Sequence, residues 1–284
     1  MKIVSYFFQA IFIYIFFLVG ILMPRKWSRK IFSFLFQKIG PFFKSKKIID
    51  KNLSIFNKEL SLLQKQLIIS NMWRNYGITF IEYMFLKHLR KNSTHITLEG
   101  ENVLNYIKSK KKPVIFVSGH FSNFELMSME ITKNNIPLAA IYRPLNNFFL
   151  NPLMEYLRKK YVCKKQIRKG INGVRESIEF IKKGKSIALM IDQRVSEGIK
   201  VDFFGKPALT TSLPAQLAIK FNLSIVPVFI ERETGYNYKI KFFEPIKNSN
   251  FKNKEEITIK LNQILESMIL KNPNEWIWTH NRWK

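Results

Sequence analysis

The chain of 284 residues is poor in cysteine, glycine, proline and acidic residues, and these deficits limit the classes of protein to which it can belong. Its one cysteine, Cys163, excludes an internal disulfide, a CxxC zinc site and an iron–sulfur cluster held by this chain alone. Eleven glycines and eleven prolines are too few for a collagen-like or low-complexity protein. Only 20 acidic residues stand against 47 lysines and arginines, so the formal charge is +27. This charge predicts an anionic partner: nucleic acid, an acidic membrane, an acidic protein or a phosphorylated substrate.

The N-terminal segment indicates which kind of partner to expect. Ile3 to Met23 contains no charged residue and, at about 1.5 Å per residue, is long enough to cross a hydrocarbon core of ~30 Å. The alternative is a secretory signal peptide, which would have a shorter apolar region and a small-residue cleavage site. Four cations follow Pro24 instead: Arg25, Lys26, Arg29 and Lys30. We therefore predict a retained transmembrane helix, with the downstream chain facing the cytoplasm.

The next segments read as helices. Ile31 to Phe43 is aromatic and apolar but too broken to span a membrane, which favours an interfacial helix; a buried core helix is the alternative. From Asn52 to Leu89 apolar residues recur at steps of three and four, which is typical of amphipathic helices. The predicted organisation is a transmembrane anchor over residues 1–24, an interfacial and helical lobe over 25–95, and an α/β domain over 96–284.

The remainder alternates between short apolar runs and helical stretches. Tyr238 to Phe243 alternates in polarity and suggests an edge hairpin partner. Strands that alternate with helices imply βαβ units. The predicted fold class is therefore α/β, with a largely parallel central sheet flanked by helices. The four runs predicted as buried strands are Val114 to Val117, Leu138 to Tyr142, Ile187 to Ile191 and Ile225 to Ile230.

One strand end carries a candidate catalytic pair. His120 follows the first buried run, and Glu125 lies near the start of the next helix. Ligand sites of open α/β sheets gather at the carboxyl ends of strands. If the Glu125 carboxylate accepts the Nδ1 proton of His120, Nε2 is free to act as a general base on a substrate hydroxyl. The alternative is a satisfied core histidine beside an ordinary first-turn glutamate. The other histidines lack metal-ligand spacing, so no metal site is predicted.

Several motifs, taken in order, resemble one family. Gly119 to Glu125 is similar to the H-x4-D/E box of the lysophospholipid acyltransferase superfamily, and its glutamate is typical of the lipid A late acyltransferases of the lauroyl and myristoyl type. Four further segments resemble motifs of that family. Ile141 to Asn147 is similar to the Tyr-Arg-Pro block, and Lys182 to Gln193 is similar to the Asp-Gln strand. Val201 to Thr211 is similar to the FFG-x-x-A-x-T loop, and Pro273 to Lys284 is similar to the C-terminal tryptophan motif.

The resemblance implies transfer of a fatty acyl chain from acyl carrier protein to a hydroxyl of a lipid A precursor, at the inner face of the inner membrane and with no cofactor. His120 would be the base and Glu125 its orienting partner. Arg143 would donate to the oxyanion or grip an acceptor phosphate. The family usually has an arginine at a position that corresponds here to about Val162, where this chain has none. Arg158 and Arg168 are the candidates to replace it. Further substrate-binding residues carried over from the motifs are Asp192, Gln193, Phe203, Phe204, Gly205 and Thr210.

Other roles follow from the residue types. Trp276, Trp278 and Trp283 suit a structural plug or a membrane-interface belt, and Cys163 suits packing. Anionic inner-membrane lipids are expected partners of so basic a chain. Nucleic acid is not, because no zinc-finger, basic-zipper or RNA-recognition motif is present. Two alternative functions remain at this point: a glycerophospholipid or glycolipid acyltransferase, and a non-catalytic basic membrane scaffold.

Overall fold

The N-terminal part of the chain is helical. A computed structural model describes residues 2–284. One helix in this part, Lys2–Leu22, is long and apolar enough to cross a membrane by length and composition. The helices are α1 Lys2–Leu22, α2 Arg25–Phe43, α3 Lys46–Phe56, α4 Leu62–Glu82 and α5 Leu86–Lys91, with a 3₁₀ turn at Tyr83–Phe85 before α5.

The rest of the chain builds a twisted sheet with helices on both faces. Within the described residues the strands are β1 Ile96–Glu99, β2 Ile115–Ser118, β3 Leu138–Tyr142, β4 Lys165–Arg168, β5 Ser186–Met190, β6 Ile199–Phe203, β7 Lys206–Thr210, β8 Ser224–Arg232, β9 Tyr238–Phe242 and β10 Ile246–Lys247. The helices are α6 Glu101–Lys110, α7 Glu125–Lys133, α8 Asn151–Leu157, α9 Ile171–Lys182, α10 Leu213–Phe221 and α11 Lys254–Lys271.

The main sheet has the order β1-β9-β8-β2-β5-β3-β4, with β10 also paired to β8. All its pairings are parallel except those of β8 with β9 and with β10. The predicted largely parallel α/β fold is confirmed, and each of the four predicted core strands is present with small shifts at its ends. The Tyr238 segment is the hairpin partner of β8, but β1 covers its other side, so the prediction of an edge position was wrong.

The helical segment after residue 25 shares its core with the sheet. Asn52 on α3 is fully buried, and its side-chain amide donates to the carbonyl groups of Trp278 and His280 at 2.8 and 2.7 Å. α2 and α4 approach so closely that a Cβ on Gly77 would lie 2.1 Å from the Phe32 carbonyl oxygen. One face of α2 is therefore buried against α4, while its other face remains exposed.

The C-terminal tryptophans pack in the interior. Trp276 and Trp278 are 1% and 0% exposed, and Trp283 stacks on Phe203 with ring centroids 5.5 Å apart. The structure thus supports the plug interpretation and contradicts the interface belt, since a belt requires rings that reach the headgroup region.

Candidate active site

Strand register brings His120 and Asp192 together. β2 and β5 are parallel neighbours, and Ser118 at the end of β2 is paired with Met190 at the end of β5. Each of the two functional residues lies two positions beyond its strand, so both emerge at the carboxyl edge of the sheet, where α/β folds place their ligand sites. The imidazole Nδ1 of His120 lies 2.8 Å from Asp192 Oδ1.

Asp192 is a fully buried acceptor of three hydrogen bonds. Its Oδ1 faces the imidazole, and its Oδ2 accepts the backbone N–H of His120 at 2.8 Å and the indole N–H of Trp276 at 2.9 Å. Burial would raise the pKa of Asp192, but the neighbouring imidazole and these donors together hold that pKa below its usual value. An ionised carboxylate only accepts, so Nδ1 of His120 is the donor, and in the neutral imidazole the free lone pair is then on Nε2.

The expected contact between Glu125 and His120 is not formed. Glu125 Oε1 instead accepts from the Tyr83 hydroxyl at 2.6 Å and from Arg158 Nε at 2.7 Å, and it lies 2.6 Å from Arg158 Nη2. The physical reason is that Asp192 already occupies the Nδ1 side of the imidazole, while the guanidinium offers Glu125 a charged partner. Glu125 is therefore corrected from the orienting residue of His120 to the counter-ion of Arg158.

Arg158 reaches this position from an irregular turn. α8 ends at Leu157 and continues as a π-helical turn over Arg158–Val162, a feature often found at functional sites. Burial opposes the charge of Arg158, but Glu125 and Tyr83 raise its pKa, so it remains a cation. Arg168, the other arginine considered from sequence, is 65% exposed and pairs with Glu155. Of the two candidates, only Arg158 enters the cavity beside His120.

A cavity of about 760 Å³ opens beside His120, within the usual range of ligand pockets. The His120 side chain is 21% exposed, so its Nε2 side is accessible to a substrate. One part of the lining is apolar and comes from α1, α4, α7, α8 and the turn before α8: Ile13, Phe17, Phe80, Met127, Leu150 and Met154. Besides Arg158, four cations line the same cavity: Lys44, Arg143, Lys169 and Arg194. The cavity can therefore hold an amphiphile with an anionic head.

The residues predicted from the motifs fall into two groups. Arg143 and Gln193 line the cavity, and the buried Asp192 is hydrogen-bonded to the His120 imidazole. The β6–β7 hairpin residues do not reach the cavity. Phe203 is fully buried beside Trp283, Phe204 packs on Phe56, and Thr210 is buried and accepts a hydrogen bond from Arg282.

The prediction that Phe203, Phe204, Gly205 and Thr210 bind substrate is therefore corrected, since none of them lines the cavity. Phe204 and Gly205 adopt left-handed φ values of +52° and +63°, which form the turn between β6 and β7. Phe203 packs on Trp276 and Trp283, and Thr210 accepts from Arg282, so these two residues contact the C-terminal segment rather than the cavity.

Sequence reasoning missed the contacts of Tyr83 and Trp276. Both side chains come from helices or loops remote in sequence from His120, and nothing in their local pattern distinguishes them from core aromatics. The sequence did indicate a role for Asp192. Asp192 lies two residues after the end of a buried strand, as His120 does after its own strand.

Comparisons with known proteins find relatives over most of the chain. The chain is 24% identical over 268 residues to an Escherichia coli K12 lipid A biosynthesis palmitoleoyltransferase, covering 89% of this chain and 85% of the relative. It is 22% identical over 244 residues to the lipid A biosynthesis lauroyltransferase of the same organism, covering 84% and 78%. A Haemophilus influenzae lipid A biosynthesis acyltransferase is 24% identical over 272 residues, covering 89% and 82%.

A solved structure and a family profile complete the comparison. The crystal structure of the 1-acyl-sn-glycerophosphate acyltransferase from Thermotoga maritima is similar at a TM-score of 0.43 and 16% identity, over 89% of this chain and all of that one. The profile described as bacterial lipid A biosynthesis acyltransferase matches residues 1–284. Because this match extends from residue 1 to residue 284, the chain belongs to the bacterial lipid A biosynthesis acyltransferase family.

Proposed function

We propose that this acyltransferase moves a fatty acyl chain from the thioester of acyl carrier protein to a hydroxyl of a lipid A precursor, at the cytoplasmic face of the inner membrane. The observation that carries the proposal is the His120–Asp192 pair at the mouth of a cavity with both apolar and cationic walls. An acyl chain suits the apolar wall, and a phosphorylated glycolipid suits the cations.

The chemistry needs no nucleophile from the protein. His120 Nε2 removes the proton of the acceptor hydroxyl as its oxygen attacks the thioester carbonyl carbon. Asp192 stabilises the imidazolium that forms and keeps the ring in the productive orientation. When the tetrahedral intermediate collapses, the C–S bond breaks and the imidazolium returns its proton to the departing thiolate. The products are an ester and the free thiol of the carrier.

Arg158 is our candidate for stabilising the negative charge that develops on the thioester oxygen. Glu125 holds its Nε and Nη2 atoms, and Tyr83 also accepts from Nη2. Within residues 2–284, Nη1 makes no hydrogen bond and remains a donor for the oxyanion. Preorganised donors of this kind contribute about 10²–10³-fold to rate. Arg143 then serves the acceptor, together with Lys169 and Arg194 on the same cavity wall.

Helix α1 serves in this proposal as a membrane anchor that also contributes to the cavity. Ile13 and Phe17 line the cavity, whereas Phe8 and Phe12 on another face are 56% and 63% exposed. Tyr14 donates to the Phe149 carbonyl at 2.8 Å, so α1 packs directly on the catalytic domain. An acyl chain can therefore pass between lipid and cavity beside α1 without crossing water.

Mass spectrometry of lipid A from cells with and without this gene tests the proposal. Loss of one acyl chain in the deletion strain would support it and give the chain length. Unchanged lipid A with altered glycerophospholipids would favour the glycerophospholipid alternative, and no lipid change at all would favour the scaffold.

Replacement of Cys163 should have little effect. The thiol is 2% exposed, its Sγ donates to the Leu138 carbonyl, and burial raises its pKa to about 11, so it stays protonated at neutral pH. We expect Cys163→Ser to retain activity within a few-fold, with no acyl-enzyme in intact-protein mass spectrometry after incubation with donor. A trapped adduct on Cys163 would contradict direct transfer.

The charge of +27 should make the reaction with an acidic carrier protein sensitive to salt. Exposed charges are screened beyond about 8–10 Å at physiological ionic strength. Added salt should therefore slow the encounter of the enzyme with the carrier protein more than it slows the chemical step. We expect kcat/KM for the carrier-bound donor to fall between low and moderate salt, with kcat nearly constant. An uncharged small thioester is the control, and equal salt slopes for both donors would reject steering.

A further inference from the structure

A second concave site lies where α1 ends, away from the catalytic cavity. It is an open cleft between the end of α1, the start of α2, α5 and the turn at residues 234–236, and no residue lines both sites. The catalytic mechanism uses none of its side chains. Six of its lining residues are basic: Arg25, Lys26 and Arg29 from α2, and Lys87, His88 and Lys91 from α5.

The cleft carries a concentrated positive charge. No aspartate or glutamate is among its lining residues, and within residues 2–284 no salt bridge involves Arg25, Lys26, Lys87 or Lys91. Arg29 alone has a carboxylate partner, the fully buried Glu82 behind it at 2.9 Å. Burial lowers the pKa of His88, and repulsion by Arg25 and Arg29 lowers it further, which is the response expected in a positive field.

Apolar side chains border the same cleft. Ile21 and Met23, at the end of the apolar helix, are part of its lining, and Ile21 is 52% exposed. A soluble polyanion would gain nothing from such a border. A membrane lipid presents a charged phosphate immediately next to hydrocarbon, so it matches both halves of the cleft. Basic pockets beside the cytoplasmic ends of membrane helices commonly bind anionic headgroups.

We propose that this cleft binds the headgroup of an anionic glycerophospholipid, with the phosphate between the cations of α2 and α5 and the first acyl carbons against Ile21 and Met23. The phosphorylated acceptor is a poorer match. Its hydroxyl must reach His120, and the cavity there already offers Arg143, Lys169 and Arg194 to a phosphate. The bound lipid would fix the depth and orientation of the enzyme at the membrane surface.

The test measures lipid binding directly, so its outcome does not depend on acyl transfer. The full chain, purified in a neutral detergent, is titrated with short-chain phosphatidylglycerol or phosphatidylcholine and analysed by native mass spectrometry. The cleft variant is Lys87→Gln with Lys91→Gln. The matched control is Lys182→Gln with Lys183→Gln, two exposed lysines at the end of α9 that line neither site. Both variants lose the same charge, and thermal melting checks that both remain folded.

We expect phosphatidylglycerol to bind more tightly than phosphatidylcholine. Because each basic residue near a membrane surface contributes about 1 kcal/mol, the cleft variant should lose about 10- to 30-fold in affinity. The control variant should stay within about two-fold of the unmodified protein. Equal losses in both variants would overturn the proposal in favour of a diffuse surface field, and no loss in the cleft variant would overturn it by showing that the lipid binds elsewhere.

Two further ligands distinguish other occupants. Inorganic phosphate should bind much more weakly than phosphatidylglycerol, and equal affinities would show that the apolar border has no role. A phosphorylated glucosamine lipid that binds more tightly than phosphatidylglycerol through Lys87 and Lys91 would contradict the glycerophospholipid assignment.

Discussion

Substitution of His120 by alanine, or of Asp192 by asparagine, should nearly abolish acyl transfer in a protein that still folds. Loss of a positioned general base commonly costs about 10²–10⁴-fold in rate. The corresponding aspartate-to-asparagine change in serine proteases costs about 10⁴-fold because the tautomer is wrong. Here an asparagine amide can still accept from Trp276, but it cannot stabilise the imidazolium. The measurement is kcat with a defined thioester donor.

Two further variants make this prediction specific. The double variant His120→Ala with Asp192→Asn should be no slower than His120→Ala alone, since the two residues act as one unit. His280→Gln is the matched control: His280 also lines the cavity, but its Nε2 already accepts the backbone N–H of Arg194 at 2.9 Å. It should lose less than about ten-fold. Unmodified rates in His120→Ala, or an equal loss in His280→Gln, would rule out the proposed base.

Loss of either partner of the Glu125–Arg158 pair should strongly lower the stability of the fold. Both side chains are about one-tenth exposed, at 8% and 11%, so removal of either partner leaves a buried charge without compensation. Such a loss typically costs about 3–5 kcal/mol in the free energy of unfolding. We expect that cost for Glu125→Ala and for Arg158→Ala, and a double variant much less destabilised than their sum. Denaturant unfolding of the four proteins measures it.

Activity separates the two possible roles of Glu125. If Glu125 acts through Arg158, Glu125→Gln should lower kcat without moving the acidic limb of the pH–rate profile, which reports the catalytic base. If it acts on His120, as the sequence suggested, that limb should shift. Arg168→Ala is the control, because Arg168 pairs with Glu155 outside the cavity and is largely exposed; it should change neither stability nor rate appreciably.

The sequence by itself determined much of the fold. Buried strands of four to six apolar residues, such as the run ending at Val117, are recognisable because both faces of a parallel sheet are covered. The lack of charge over Ile3 to Met23 identified the apolar helix. The position of His120 after a buried strand predicted that it would lie at the ligand-binding edge. These features depend on local periodicity and on the chain's immediate neighbours, which a single sequence displays.

The tertiary structure decided which side chains meet. His120 and Asp192 are 72 residues apart, and only the adjacency of β2 and β5 brings their carboxyl ends together. Glu125 is five residues from His120, yet it pairs with Arg158, because the shared edge places a competing carboxylate at Nδ1. Phe203 of the β6–β7 hairpin likewise packs on Trp276 and Trp283, which lie more than 70 residues further along the chain. Strand order and competition for partners are properties of the assembled sheet, so local pattern could not predict them.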